Sequence, residues 1–198
     1  MAFRSKLLAS FSEAAKFFLA FAALLMFTFS SSAIENNKHK CDGKPNHRKY
    51  TISQAFNKQE QGLINAAAAH IEEKISCVCF EFVEEAEDSP GVLKVYFMLS
   101  PVGGDGFSYV GFFSRSENYI LLTDKRMGAD GLLRPMDNDF FYKVAIHEFG
   151  HWLGVPNEHA FDRSISDESQ FTPVISDKSQ PRLYEKDIDF LKNLVCNK

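Results

Sequence analysis

Apolar and polar positions follow two different periods along this chain. Over residues 58–75, Leu63, Ile64, Ala67, Ala68 and Ile71 recur at the spacing of one helix face. Glu60 near the start and Lys74 near the end suit the helix dipole, so a first helix is predicted there. A second is predicted over 140–153, closed by Gly154 and Pro156. A last one over 184–195 carries Ile188, Leu191, Leu194 and Val195. Strands are predicted at 49–56, at 79–83 around Phe80 and Phe82, and at 91–99, where Val92, Leu93, Val95, Phe97 and Leu99 dominate. Further short apolar runs lie at 109–113 and 119–122. Gly103-Gly104-Asp105-Gly106 reads as a hairpin loop, 128–139 as Gly/Pro/Asp punctuation, and 155–182 shows no periodicity. The order of strand, helix, strands, helix, long loop and helix predicts an α+β or α/β domain.

The first 33 residues stand apart. Arg4, Lys6 and Lys16 precede or flank an apolar run from 17 to 29, and Ser30-Ser31-Ser32-Ala33 gives a small-residue exit. This is the pattern of an export signal, and the run is short for a membrane span of about 20 residues. Seven of the 20 Phe fall in it, so the Phe content describes this segment more than a core. Residues 34–48 read as an irregular polar arm and 49–198 as the functional domain. Of 22 basic and 26 acidic residues, 19 and 25 lie after residue 33, a net charge of −6. That excludes the basic footprint of a nucleic-acid partner. Cys41, Cys77, Cys79 and Cys196 all follow residue 33, and an even count in an exported chain predicts two disulfides.

The chemistry concentrates in His147-Glu148-Phe149-Gly150-His151-Trp152-Leu153-Gly154. On a helix, His147 and His151 leave the same face one turn apart, a spacing that lets two neutral imidazoles reach one Zn²⁺. Glu148 beside the first can take a proton from metal-activated water and return it to a leaving amine. The plain alternative is a surface helix that happens to hold these residues; Gly154, ending the helix just after them, makes that coincidence less economical.

The segment resembles the zinc helix of the metzincin peptidases, H-E-x-x-H-x-x-G-x-x-H followed by a Met-turn. The resemblance implies a metzincin-like zincin fold: a twisted mixed sheet, an active-site helix and a short C-terminal subdomain ending in a helix. It implies Zn²⁺ as cofactor and a protein or peptide substrate. The family's third His falls at Asn157 here, so the third ligand is Asn157 or His159, with Glu158 and Asp162 as further oxygen donors. Ser164-Ile165-Ser166 stands where the Met-turn is expected.

Wider similarity is to astacins. Ser108-Tyr109-Val110-Gly111 is similar to the Ser-Tyr-Val-Gly of that family, which makes Tyr109, Val110 and Gly111 expected substrate-binding positions. The segments around Cys77 and 187–196 are similar too, and the astacin pairing of an early with the last Cys implies Cys77–Cys196 and, by what is left, Cys41–Cys79. Lys40-Cys41-Asp42-Gly43 also resembles the matrixin Cys switch, under which Cys41 would be an inhibitory thiol.

Other candidates are weaker. His39, His47 and His70 have no metal-spaced partner, and Glu185 with Asp189 offers a gluzincin-like E-x-x-x-D pair that the turn at Gly154 disfavours. The expectation is therefore a secreted zinc endopeptidase with no stable membrane anchor once the signal is removed. The alternative is an inactive metzincin-fold protein that holds a protein partner in the former cleft.

Overall fold

In Asn46–Ile52 (β1), Tyr50 and Ile52 are buried and the alternate positions are not, so this strand gives the sheet a core face and an outer face. The computed structural model describes residues 41–84, 89–99, 102–104, 107–128, 130–156, 159–161, 165, 167–172 and 175–197. The chain divides into two units, Met1–Asp42 and Gly43–Lys198. Only Cys41 and Asp42 of the first are described, so the fold is that of the second; the predicted export signal lies outside the described residues.

Helix α1 is Lys58–Lys74, followed by β2 at Val78–Phe82 and β3 at Leu93–Phe97. A hairpin of β4, Val102–Gly104, and β5, Phe107–Tyr109, comes next, then β6 at Gly111–Ser114 and β7 at Tyr119–Leu122. A second hairpin, β8 at Lys125–Met127 and β9 at Leu133–Pro135, leads into α2 at Asn138–Leu153. The last helix, α3, is Glu185–Val195.

The main sheet has the order β2-β1-β3-β7-β6. The first four strands are mutually parallel, and β6 alone runs antiparallel, along the edge beside β7. This is a mixed α/β architecture with a mostly parallel five-stranded sheet and three helices among the described residues.

The helices form where their ends are satisfied. At α1, Asn57 Oδ1 accepts from Gln59 N and Glu60 N while Glu60 Oε2 accepts from Asn57 N, a reciprocal capping box. At α2, Asp137 accepts from Phe140 N at 2.8 Å. Gly154 at φ 117° then ends α2, its N–H donating to the Gly150 and His151 carbonyls, a backbone state that glycine adopts without a β-carbon penalty. Ile64, Ala67, Ala68 and Ile71 of α1 pack with Val144, Ile146, Phe149 and Leu153 of α2 and with Tyr50, Leu93 and Ile120 of the sheet. Helix α2 is buried almost all round, so its polar residues must be served by partners.

Most predicted element ends shift by one or two residues, and three differences go further. Strand β1 starts at Asn46 because backbone pairing with β2 runs from Asn46↔Val78 to Tyr50↔Phe82 whatever the side chains, and it stops at Ile52, where a turn closes from Phe56 N to Ser53 O. The run 109–113 breaks at Val110: β5 pairs with β4, whereas β6 pairs with β7. The punctuated stretch 128–139 contains most of a hairpin, held by Gly128 N to Leu132 O and Gly131 N to Gly128 O, with strands of three residues that are too short to show a period.

Candidate metal centre

Because four residues make just over one helical turn, His147 and His151 leave α2 on one face with ring centroids 4.7 Å apart. Both are nearly buried. Each uses its Nδ1 on a backbone carbonyl: His147 donates to Gln170 O at 2.6 Å, and His151 to Val155 O at 3.0 Å. A carbonyl only accepts, so each Nδ1 carries the proton and each Nε2 presents a lone pair. Those two Nε2 atoms stand 3.1 Å apart. Burial, followed by the charge of His151, pushes His147 down to about 3, and burial also lowers His151, so both rings are neutral near pH 7.

Two lone pairs facing each other at this distance repel unless a cation lies between them. Two imidazole nitrogens bound at about 2.05 Å to one tetrahedral ion stand about 3.3 Å apart, so the donor set fits a metal of the zinc type.

Among the described residues, His159 is placed to offer a third donor. Its ring centroid is 5.1 Å from each of the other two, and the three ligand atoms lie within 4.8 Å of one another. The metzincin spacing would put a ligand at 157, two residues earlier. The extra length is taken up by a turn in which His159 N donates to Pro156 O at 2.8 Å, and His159 itself has φ 68°, which redirects the chain. Asn157, Glu158 and Asp162 lie outside the described residues.

Glu148 follows His147 and is 4% exposed. Burial pushes its carboxyl up to about 8. The edge strand passes against it: a β-carbon on Gly111 would lie 2.5 Å from Glu148 Oε1 and 2.7 Å from Val144 Cγ1. Glycine at 111 thus permits a close approach that no other residue would. Gly111 opens β6, Tyr109 closes β5, and Val110 between them accepts from Thr123 N at 3.2 Å.

Residues that the sequence did not single out hold this centre from below. Phe171 is fully buried beneath α2, and a β-carbon on Gly150 would collide with its ring. Asp187, in the first turn of α3, is fully buried; it accepts from Ser169 Oγ at 2.5 Å, Gln170 N at 3.0 Å and Tyr184 N at 3.0 Å. Desolvation raises its pKa, opposed by those donors. Lys143, one turn before His147 and 2% exposed, donates to Ser176 O at 2.7 Å and Ser179 O at 3.2 Å. The aperiodic segment is therefore gripped by side chains of α2 and α3. One signal was available: Asp187 precedes Leu191 and Val195 by four and eight residues, an acid on the apolar face of its helix.

Of the expected Met-turn only Ile165 is described, and among the described residues after it Gln170 reaches His147 through its carbonyl. Cys77 and Cys196 are joined, with Cα atoms 5.7 Å apart. Cys41 and Cys79 are each held in a disulfide as well, so Cys41 is not a free inhibitory thiol. Glu185 and Asp189 lie on the exposed side of α3, apart from the histidine cluster.

No protein-family model matches the chain, and no curated protein sequence does. Among solved structures it is similar to the archaemetzincin of Methanopyrus kandleri, with a TM-score of 0.51 and 11% sequence identity, over 77% of this chain and 97% of that one. At that identity the likeness is one of fold, and this chain shares the fold of an archaemetzincin.

Proposed function

We propose that this chain is a secreted zinc-dependent endopeptidase of metzincin type, with His147, His151 and His159 as the zinc ligands. The observation that carries the reading is the pair of neutral imidazoles whose Nε2 lone pairs face each other at 3.1 Å, with His159 as third donor. Zinc held there would supply Lewis acidity, polarising the scissile carbonyl and lowering the pKa of the attacking water.

The remaining steps belong to the chain's own groups. Glu148 takes a proton from the water as the C–O bond forms, then gives it to the amine as the C–N bond breaks. Burial raises the pKa of this carboxyl, so in its ionised form it is a stronger base than a surface glutamate. The backbone at Val110 and Gly111 opens the edge strand β6, to which an extended peptide adds as a further strand.

Residues 1–33 serve as export signal, 34–48 as an arm and 49–198 as the catalytic domain. Disulfide-bonded cysteines suit an oxidising compartment, and among the described residues no helix is long and apolar enough to cross a membrane. The alternative, a binding protein without activity, draws on Asn157 at the family's third-ligand place; a third histidine within reach of the other two speaks against it.

The test is cleavage of casein by the purified chain beside Glu148→Gln. Chelator-sensitive cleavage lost in the variant would support the enzyme, and equal residual cleavage by both proteins would refute it.

A further inference from the structure

On the outer face of the sheet, three side chains stand in one row across the strands. Tyr96 of β3 is directly opposite Leu121 of β7, and Leu121 is directly opposite Phe112 of β6. Tyr119, the diagonal neighbour of both ends, has its ring centroid 6.1 Å from Tyr96 and 6.4 Å from Phe112. Phe112 is 45% exposed and Tyr96 39%, so the row lies open. It ends at Phe112 because β6 is the edge of the sheet.

Side chains alternate along β6. Gly111 faces α2 and Glu148, Phe113 is buried, and Phe112 points to the opposite face. A strand added to β6 therefore continues the row: its residue opposite Phe112 has its side chain on the outer face, packed against that ring, while its neighbours point to the face that carries α2 and Glu148. Directly opposed aromatic and β-branched side chains favour one another across antiparallel strands.

We propose that Phe112 is a specificity-determining residue, selecting a substrate with an aromatic or β-branched side chain at the position that pairs opposite it. This rests on the reading of β6 as the substrate-binding edge of a peptidase. The other open edge partner, a second copy of the chain pairing through β6, would bury the row instead.

The test is cleavage profiling of a defined peptide mixture by the full chain and by Phe112→Thr and Phe112→Trp, with zinc content and melting temperature measured for each. In the wild type one subsite should prefer Phe, Tyr, Ile or Val over Ala by about three- to tenfold. That preference should fall to near unity in Phe112→Thr and persist in Phe112→Trp. A profile unchanged in Phe112→Thr overturns the proposal while leaving the peptidase reading intact. Should the wild type cleave nothing, binding of paired Phe- and Ala-bearing peptides to the Glu148→Gln chain gives the same comparison, and equal affinities overturn it. A concentration-dependent dimer with protected β6 amides also overturns it.

Discussion

The Nε2 atoms of His147 and His151 stand 3.1 Å apart, and the opposite nitrogen of each ring is committed to a backbone carbonyl. Neither ring can turn its proton toward the other without losing that bond. The pair is thus suited to a cation, and under the proposed reading His159 supplies the third donor.

His159→Ala should lower zinc affinity by more than the roughly 10–100-fold typical of losing an outer-shell partner. Asn157→Ala should leave it within about threefold of wild type. Competition against a chelator of known affinity measures both, and the reverse ranking would make Asn157 the ligand.

Asp187 acts on the centre at one remove, through the Gln170 backbone that it fixes and whose carbonyl holds His147. Asp187→Ala should weaken zinc binding by about 10–100-fold. Asp187→Asn keeps an acceptor for the two backbone N–H groups and should restore most of it. If Asp187→Ala lowers the melting temperature and zinc affinity stays as in wild type, its role is in folding only.

Gly150 and Phe171 are matched in size. Gly150→Ala should cost about 1–3 kcal/mol through overpacking, and Phe171→Leu in the same chain should recover part of that. Chemical denaturation of the two singles and the double gives the coupling; strictly additive effects would contradict the contact.

His70 Nε2 accepts from Leu183 N at 3.2 Å, tying α1 to the segment that leads into α3. Burial, followed by the charge of Lys74, lowers its pKa below the ordinary histidine value of 6.5. The folded protein then binds the proton less readily than the unfolded chain. This contribution is fully present above about pH 6.5 and declines as pH falls below it toward the depressed folded value. His70→Gln, whose amide oxygen can accept from the same N–H, should have a flatter denaturation midpoint across that window. A parallel pH curve for the two proteins would show that His70 contributes nothing.

The helix that carries His147 and His151 was legible because its signal is local: two imidazoles and a carboxylate at fixed helical spacing, ended by Gly154. Helix positions were legible for the same reason, since Ile64, Ala67 and Ile71 mark one face by period alone. The grip on the segment was not legible, because Asp187, Gln170 and Lys143 meet only through long-range packing and act on backbone carbonyls that carry no residue identity. The third ligand stayed open for a related reason. Spacing points to 157, and only the turn from Pro156 with the left-handed backbone at His159 brings 159 into reach.

The most direct test is the bound-metal content of the purified chain, set beside that of His147→Ala/His151→Ala. One zinc per chain, released by chelator and absent from the double variant, is the expected result. A correctly folded wild-type chain that takes up no zinc at neutral pH would contradict the metal centre and the peptidase reading built on it.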